Sequence, residues 1–245
     1  MNNLLLFGLD GGATKVLAQT CIIDNKSSLI KPIGNFIETL YNRSITFNPN
    51  FLPVSLIQQQ IEASEKDYYI TEQEVSQSES INNTIADTIS SIKSNDQKYL
   101  MGFCFPGLKT RKLDGITIMS NGPRNIEMLS KINDKIKSSQ KHKSLIKQIY
   151  DDSECCLIGE WKSSIGKLKN CKNAIYVGGG TGIADGVILN NKIIDFINSK
   201  ILKQSWQLIM PSGQSVENYL SLGGMLNQWN KGKSIEALNS LFENA

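Results

Sequence analysis

One stretch constrains this chain more than any other. The apolar run Leu4-Leu5-Leu6-Phe7-Gly8-Leu9 passes at once into Asp10-Gly11-Gly12-Ala13-Thr14-Lys15, and a second apolar run, Val16 to Ile23, follows. Two apolar runs joined by a tight, polar, glycine-bearing turn predict a β-hairpin. Gly11 and Gly12 lack a Cβ, so the backbone there can turn sharply and let a bulky anion approach its N–H groups. Asp10 puts a carboxylate at the strand end, placed to hold a hydrated Mg2+, while Thr14 and Lys15 add a hydroxyl and a cation. An ordinary Asp-Gly hairpin turn reads the same way locally. Neither G-x-x-x-x-G-K-[ST] nor G-x-G-x-x-G occurs in the chain, so the P-loop and the dinucleotide fingerprint are both missing.

A second turn of the same kind comes late in the chain. Ala174 to Val177 and Ile183 to Leu189 read as strands joined by Gly178-Gly179-Gly180-Thr181-Gly182, with Asn190-Asn191 closing the second strand and Ile193 to Phe196 placed to pair with it. Thr181 supplies a hydroxyl among glycines, a combination that suits phosphate oxygens. Alone, either turn is only a turn. Together they describe two similar domains facing one cleft, with a nucleotide's phosphates clamped between them.

Bulk properties exclude other classes. At 245 residues with 40% hydrophobic and 20% charged content, the chain can bury a substantial core, and two domains are favoured. A net charge of +3 is too small to argue for nucleic acid or a membrane surface. The opening apolar run is too short for a signal peptide, and no run approaches a membrane span. The five cysteines (Cys21, Cys104, Cys155, Cys156, Cys171) show no C-x-x-C, and His142 is the one histidine. Zinc of the Cys/His type and a Ser-His-Asp or Cys-His pair are therefore not expected, and the thiols read as reduced and mostly buried.

Between the two turns the elements are expected as follows. Leu29 to Ile33 adds a third strand, and residues 35–53 read as irregular. Val54 to Ser64 is a helix candidate. Thr71 to Glu74 fits a capping box before a helix with Ile81, Ile85, Ile89 and Ile92 on one face, its Ser, Gln and Glu residues forming a solvated face. Tyr99 to Phe105 reads as a buried strand running into Pro106-Gly107. Residues 108–125 read as a loop whose basic residues, Lys109, Arg111, Lys112 and Arg124, are solvated. Ile126 to Ile136 reads as a helix and Leu145 to Tyr150 as a strand. Ile158, Trp161, Ile165 and Leu168 share helical spacing. So do Val216, Tyr219, Leu220, Leu226 and Trp229, and then Ile235, Leu238 and Phe242.

Asp151-Asp152-Ser153-Glu154 opens a helix directly after a strand. Asp151 with Glu154 makes a capping box, and acids are favoured near a helix N-terminus. The functional reading is that Asp152 sits at a strand end and takes the proton from an attacking hydroxyl, which with positive charge on the phosphates is most of what phosphoryl transfer needs.

In this order, DGGATK, the PG-x7-G stretch from Pro106 to Gly115, DDSECCLIGE and GGGTGIADG resemble the ROK family of sugar kinases, within the actin-like ATPase and sugar-kinase superfamily. The resemblance covers roughly residues 4–190. It implies an α/β, actin-like ATPase (ribonuclease H-like) two-domain fold with an active-site cleft between lobes, at residues 1–120 and 121–245. It implies ATP-dependent phosphorylation of a sugar hydroxyl on a hexose or N-acetylhexosamine, glucokinase-like, with ATP and Mg2+ and without zinc. Asp10, Gly11, Gly12, Ala13, Thr14 and Lys15 match the first phosphate motif, with Asp10 holding Mg2+ through water. Gly179, Gly180, Thr181 and Gly182 match the second. Asp152 matches the catalytic base, Gly107 lies in a loop lining the sugar site, and Asn125 matches a sugar-contacting asparagine. Asp151 and Glu154 stand where the family has asparagines and count as substrate contacts. The partners implied are a small-molecule sugar and ATP in a cytoplasmic protein, with no nucleic acid or membrane and with a homodimer allowed.

The chain also departs from the family pattern. The zinc segment after the second phosphate motif is replaced by the shorter Lys203 to Ser215. Gly213 to Ser221 (GQSVENYLS) resembles what remains of that region, with Glu217 at a helix start. The later adenosine motif is missing, and Gly223-Gly224 reads as helix packing or a kink. A non-catalytic sugar- or nucleotide-sensing relative is the alternative these departures motivate. A DNA-binding repressor would need a helix-turn-helix before the first strand at Leu4. An acyl-CoA-related ATPase would need cluster-ligating cysteines at other spacings.

Overall fold

A computed structural model describes residues 5–92, 99–120, 122–139, 145–180, 182–196, 199 and 202–230. Leu4, His142, Thr181 and the Ile235, Leu238 and Phe242 face therefore lie outside the described residues. The chain divides into two compact units, residues 1–155 with 163–165, and residues 156–162 with 166–245.

The first unit is built on a sheet. Strands β1 (Leu5–Gly11), β2 (Lys15–Ile23) and β3 (Ile30–Leu40) form an antiparallel meander, as the apolar runs around the first glycine turn require. Helices α1 (Leu56–Glu65) and α2 (Glu72–Ser90) follow, then β4 (Tyr99–Cys104), which pairs parallel with β1. A small hairpin, β5 (Leu108–Lys109) with β6 (Ile116–Ile118), leads to α3 (Met128–Ser138). The short β7 (Ile149–Tyr150) then pairs parallel with β4. The sheet order is β3-β2-β1-β4-β7. Phe7, Leu9, Val16, Phe103 and Ile149 from the sheet meet Ile81, Ile85 and Ile89 of α2 and Met128, Ile132 and Ile136 of α3 in one core. The isoleucine spacing of α2 thus faces the sheet as the periodicity requires.

The second unit takes up the rest. Helix α4 (Asp152–Lys162) begins in the first unit and ends in the second. Strands β8 (Ala174–Gly179), β9 (Ile183–Leu189) and β10 (Lys192–Ile193) form an antiparallel sheet in the order β10-β9-β8. Asn190 and Asn191 both adopt left-handed backbone at φ 52° and 61°, the geometry of a tight hairpin turn. A Cβ on Gly186 would lie 2.8 Å from Leu157, so the glycine is what lets β9 meet α4. Helices α5 (Val216–Leu220) and α6 (Leu222–Trp229) close the described chain. No described helix is long and apolar enough to cross a membrane.

Several expectations are corrected. Residues 35–40 continue β3 instead of being irregular, because β2 is long enough to pair as far as Lys15 with Leu40. Residues 108–125 contain the β5–β6 hairpin, and Arg124 is fully buried instead of solvated. The polar face of α2 is largely buried too: Glu74, Gln77, Ser78, Asn82, Thr84 and Thr88 all point inward. Only the last two residues of the run from Leu145 form strand. The spacing of Ile158, Trp161, Ile165 and Leu168 outruns its helix, which ends at Lys162 and leaves Ile165 exposed. The Val216–Trp229 face is split at Ser221, whose extended backbone ends α5 while its hydroxyl caps α6 at Gly224 N–H. A Cβ on Gly224 would lie 1.9 Å from Asn218 O, so of the glycine pair Gly224 marks close packing, whereas a Cβ on Gly223 would meet open space. Among the cysteines only Cys104 is buried; the other four are intermediate, and none is in a disulfide.

Candidate active site

In the first unit, three parallel strands end at one edge of the sheet. The register puts Asp10 of β1 beside Cys104 of β4, and Cys104 beside Tyr150 of β7, immediately before Asp151 and Asp152. The carboxyl ends of parallel strands are where α/β proteins place their ligands, because the connections leave an open rim of backbone and side chains there. Pairing alone thus gathers Asp10, Asp151 and Asp152.

The first turn is braced from below. Gly12 N–H donates to Lys15 O at 2.8 Å, and Tyr41 N–H to Thr14 O at 3.0 Å. A Cβ on Gly11 would sit 2.5 Å from the Phe105 ring, so its bare Cα serves packing under the turn as well as the turn itself. Tyr41 is fully buried with an unpartnered hydroxyl, and burial first, then the charge of Asp10, pushes its pKa far above the ordinary value. Asp10 Oδ1 accepts from Cys104 Sγ at 3.4 Å. The neighbouring Cys155 thiol, then burial, pushes the Cys104 pKa up, and Cys104 draws that of Cys155 down. Lys15 is paired with Glu38 at 2.7 Å, both side chains about 40% exposed. Such a surface pair is weak, so the ammonium can turn to another anion.

Asp151 is the cap its spacing predicted. Its Oδ1 accepts from Ser153 N–H at 3.1 Å and Glu154 N–H at 3.3 Å, and its Oδ2 from Lys109 Nζ at 3.3 Å. Lys109 is mostly buried, unlike the solvated loop cation expected. Asp152 differs. Burial, then repulsion from Asp151, raises its pKa above the usual carboxylate value. A half-buried carboxylate beside a charge-satisfied neighbour is a better proton acceptor than a free one. Glu154 faces solvent.

Gly107 and Asn125 have tight structural surroundings. Gly107 has φ 90°, and a Cβ there would meet Ile118 O at 2.5 Å. Asn125 exchanges both backbone hydrogen bonds with Ile116, and its Nδ2 donates to Asn82 Oδ1 at 2.9 Å. It borders a hollow of about 800 Å3 between α2 and α3 whose lining includes none of Asp10, Gly107, Asp151 or Asp152.

The second turn belongs to the other unit. Gly180 N–H donates to Gly182 O at 2.9 Å, and Leu222 N–H donates to Gly180 O at 3.0 Å. Glu217 Oε2 accepts from Ile183 N–H at 3.1 Å and packs on Gly182. Asp185 accepts the Ser205 N–H at 2.6 Å together with its hydroxyl, and Glu217 N–H donates to Ser205 O. Helices α5 and α6 thus hold this turn from behind. Lys109 on Asp151, Cys104 on Asp10 and the Glu217 carboxylate on the second turn escaped sequence reasoning. Aligning β1 and β4 as parallel neighbours would have found Cys104, which directly precedes Phe105-Pro106-Gly107.

Comparison with known proteins adds the lineage. The solved structures similar to this chain include an inorganic polyphosphate/ATP-glucomannokinase from Arthrobacter sp. strain KM, with TM-score 0.56, 14% identity and coverage of 93% of this chain and 72% of that one. A ROK family glucokinase from Streptomyces griseus, in complex with glucose and AMPPNP, gives 0.55 and 15%, covering 91% and 59%. A glucokinase from Parabacteroides distasonis gives 0.50 and 16%, covering 90% and 54%. The chain therefore spans less than two thirds of the last two. No curated protein matches the sequence. At these identities the likeness establishes the fold, the mixed α/β, actin-like ATPase fold of these kinases. The ROK family model matches residues 52–195, more than half of the sequence, and the chain belongs to the ROK family.

Proposed function

We propose that this protein phosphorylates a sugar hydroxyl, on a hexose or N-acetylhexosamine, with cytoplasmic ATP as donor. The observation that carries the reading is the strand register that brings Asp10, Asp151 and Asp152 to one edge. The similar kinases support it, since they include glucokinases and a glucomannokinase.

Asp152 takes the proton of the attacking hydroxyl. Its raised pKa makes that transfer more favourable, and Asp151, tied to Lys109 and the α4 N-terminus, is held fixed beside it. Gly11 to Lys15 and Gly179 to Gly182 supply N–H groups, the Thr14 hydroxyl and the Lys15 ammonium to phosphate oxygens, with Thr181 in the second turn. Mg2+ supplies charge neutralisation on the transferred phosphoryl group. Asp10 fits it as a single strand-end carboxylate completed by water and phosphate, the usual way Mg2+ is bound. Among the described residues no three His, Cys, Asp or Glu side chains cluster to form an all-protein cage.

The test is ADP release from MgATP against a panel of hexoses and N-acetylhexosamines. One sugar should stimulate release, and Asp152→Asn should abolish it. The acid limb of the pH profile should lie above the ordinary carboxylate range, because the base must be ionised. Ligand binding by folded protein without ADP release would overturn the kinase reading in favour of a sensing relative.

A further inference from the structure

We propose that the hollow between α2 and α3 is a second ligand site, one that takes the base of a neutral nucleoside. Its volume of about 800 Å3 is that of a small-molecule site, and every residue lining it belongs to the first unit. Two buried asparagines among these residues carry the chemistry. Asn82 is 3% exposed and Asn125 8%, and Asn125 Nδ2 donates to Asn82 Oδ1 at 2.9 Å. That bond uses one half of each amide. The Asn82 amino group and the Asn125 carbonyl remain, one donor and one acceptor, for whatever enters the hollow. Asn83 lines it too, and its Oδ1 is buried without a hydrogen-bond partner among the described residues. An unmet buried amide is costly, so this surface favours an occupant that supplies the complementary groups.

The other lining residues choose among such occupants. Tyr68, Ile70, Val75 and Ile126 add aromatic and aliphatic surface. A heteroaromatic base has apolar faces for that surface and an edge with neighbouring donor and acceptor, the pattern that an asparagine amide reads on adenine. A hexose would turn several of its hydroxyls onto aliphatic side chains. Charge separates nucleoside from nucleotide. Glu79, Glu127 and Asp134 share the hollow with Lys131 and Lys135, and Lys131 lies 3.6 Å from Glu127. The Arg124 guanidinium is bound to Glu62 and Glu74. Acids thus outnumber free cations among the described lining residues, and a phosphate finds no net attraction there. Asp10, Asp151 and Asp152 are not part of the hollow, so the inference does not rest on the kinase reading.

The test is NMR titration of the full chain, isotopically labelled, with Mg2+ and a non-hydrolysable ATP analogue in excess so that adenosine is not read at a nucleotide site. Adenosine should bind saturably and shift the side-chain amide signals of Asn82, Asn83 and Asn125. Adenosine dimethylated on its exocyclic amine lacks the donor and should bind about tenfold more weakly. Val75→Trp fills the hollow from an exposed position and should abolish binding without unfolding the protein. Asn82→Asp keeps the oxygen to which Asn125 donates, removes the amino group and should weaken binding about tenfold. If Asn82→Asp does not fold, Val75→Trp and the methylated nucleoside decide the matter. Absence of adenosine binding, equal binding of the methylated nucleoside, binding that survives Val75→Trp, or amide shifts with glucose in place of adenosine would each overturn the proposal. Because no turnover is read, failure here leaves the kinase assignment standing, and a protein without kinase activity could still bind the nucleoside.

Discussion

Glu217 and Gly182 show how a single contact shapes a candidate phosphate turn. The carboxylate takes the Ile183 N–H at 3.1 Å, and the glycine leaves room for it. A carboxylate occupying one donor of the turn fixes where the remaining donors point, which is a positioning role and not a ligand contact. On the proposed reading, Glu217→Ala should raise KM for ATP by about tenfold, the worth of one hydrogen bond to a charged acceptor, with little change in kcat. Glu217→Gln keeps an acceptor oxygen and should stay close to the parent. A drop in stability without any change in KM would reduce the residue to a structural support.

At the scale of elements, the first unit is tied together by Arg124. Its guanidinium donates to Glu74 at 2.7 and 2.8 Å, to Glu62, and to Tyr69 O at 2.8 Å, so it joins α1, the loop before α2, and α2 itself. The Glu62 carboxyl lies below its ordinary pKa, first through a hydrogen bond from Gln58 and then through Arg124. Burial alone would raise Glu74, but hydrogen bonds from Arg124 and Thr71 outweigh it and its pKa is lowered. Arg124→Met should destabilise the protein by about 3–5 kcal/mol in urea unfolding, because it strands buried carboxylates. The sign with pH follows. In the parent, depressed carboxylates contribute stability that is present above the ordinary carboxylate pKa and lost as pH falls through their folded values. In the variant the stranded carboxylates titrate higher, so its deficit should shrink on mild acidification. A deficit independent of pH would refute the ionic account.

For the whole molecule, the prediction concerns ligand linkage. Anything that binds the folded chain alone stabilises it, by about 2.7 kcal/mol at a hundredfold excess over Kd. MgATP should therefore raise the thermal midpoint, and the phosphorylated sugar should add to the shift. Asp152→Asn should keep the MgATP shift while losing turnover, since it removes a proton acceptor and leaves the turns intact. A chain spanning 59% of the Streptomyces glucokinase can share that enzyme's fold, but no shift with any nucleotide would sink the ATP assignment.

The amino-acid sequence determined the pieces set by local pattern. Both glycine turns sit between alternating or continuous apolar strands, the Thr71–Glu74 box caps α2, and the isoleucines of α2 face the core. These follow from the two-residue and 3.6-residue periods and from which backbone donors a helix start leaves unpaired. The order of four motifs also carried the family. What only the tertiary structure decided is long-range partnership. Arg124, Lys109 and the polar face of α2 read as solvated because a short window cannot show the buried carboxylate, backbone or amide that awaits each one. The length of β3 depended on β2 being there to pair with. Cys104 stands beside Asp10 because parallel register and strand order are properties of the sheet and not of either segment.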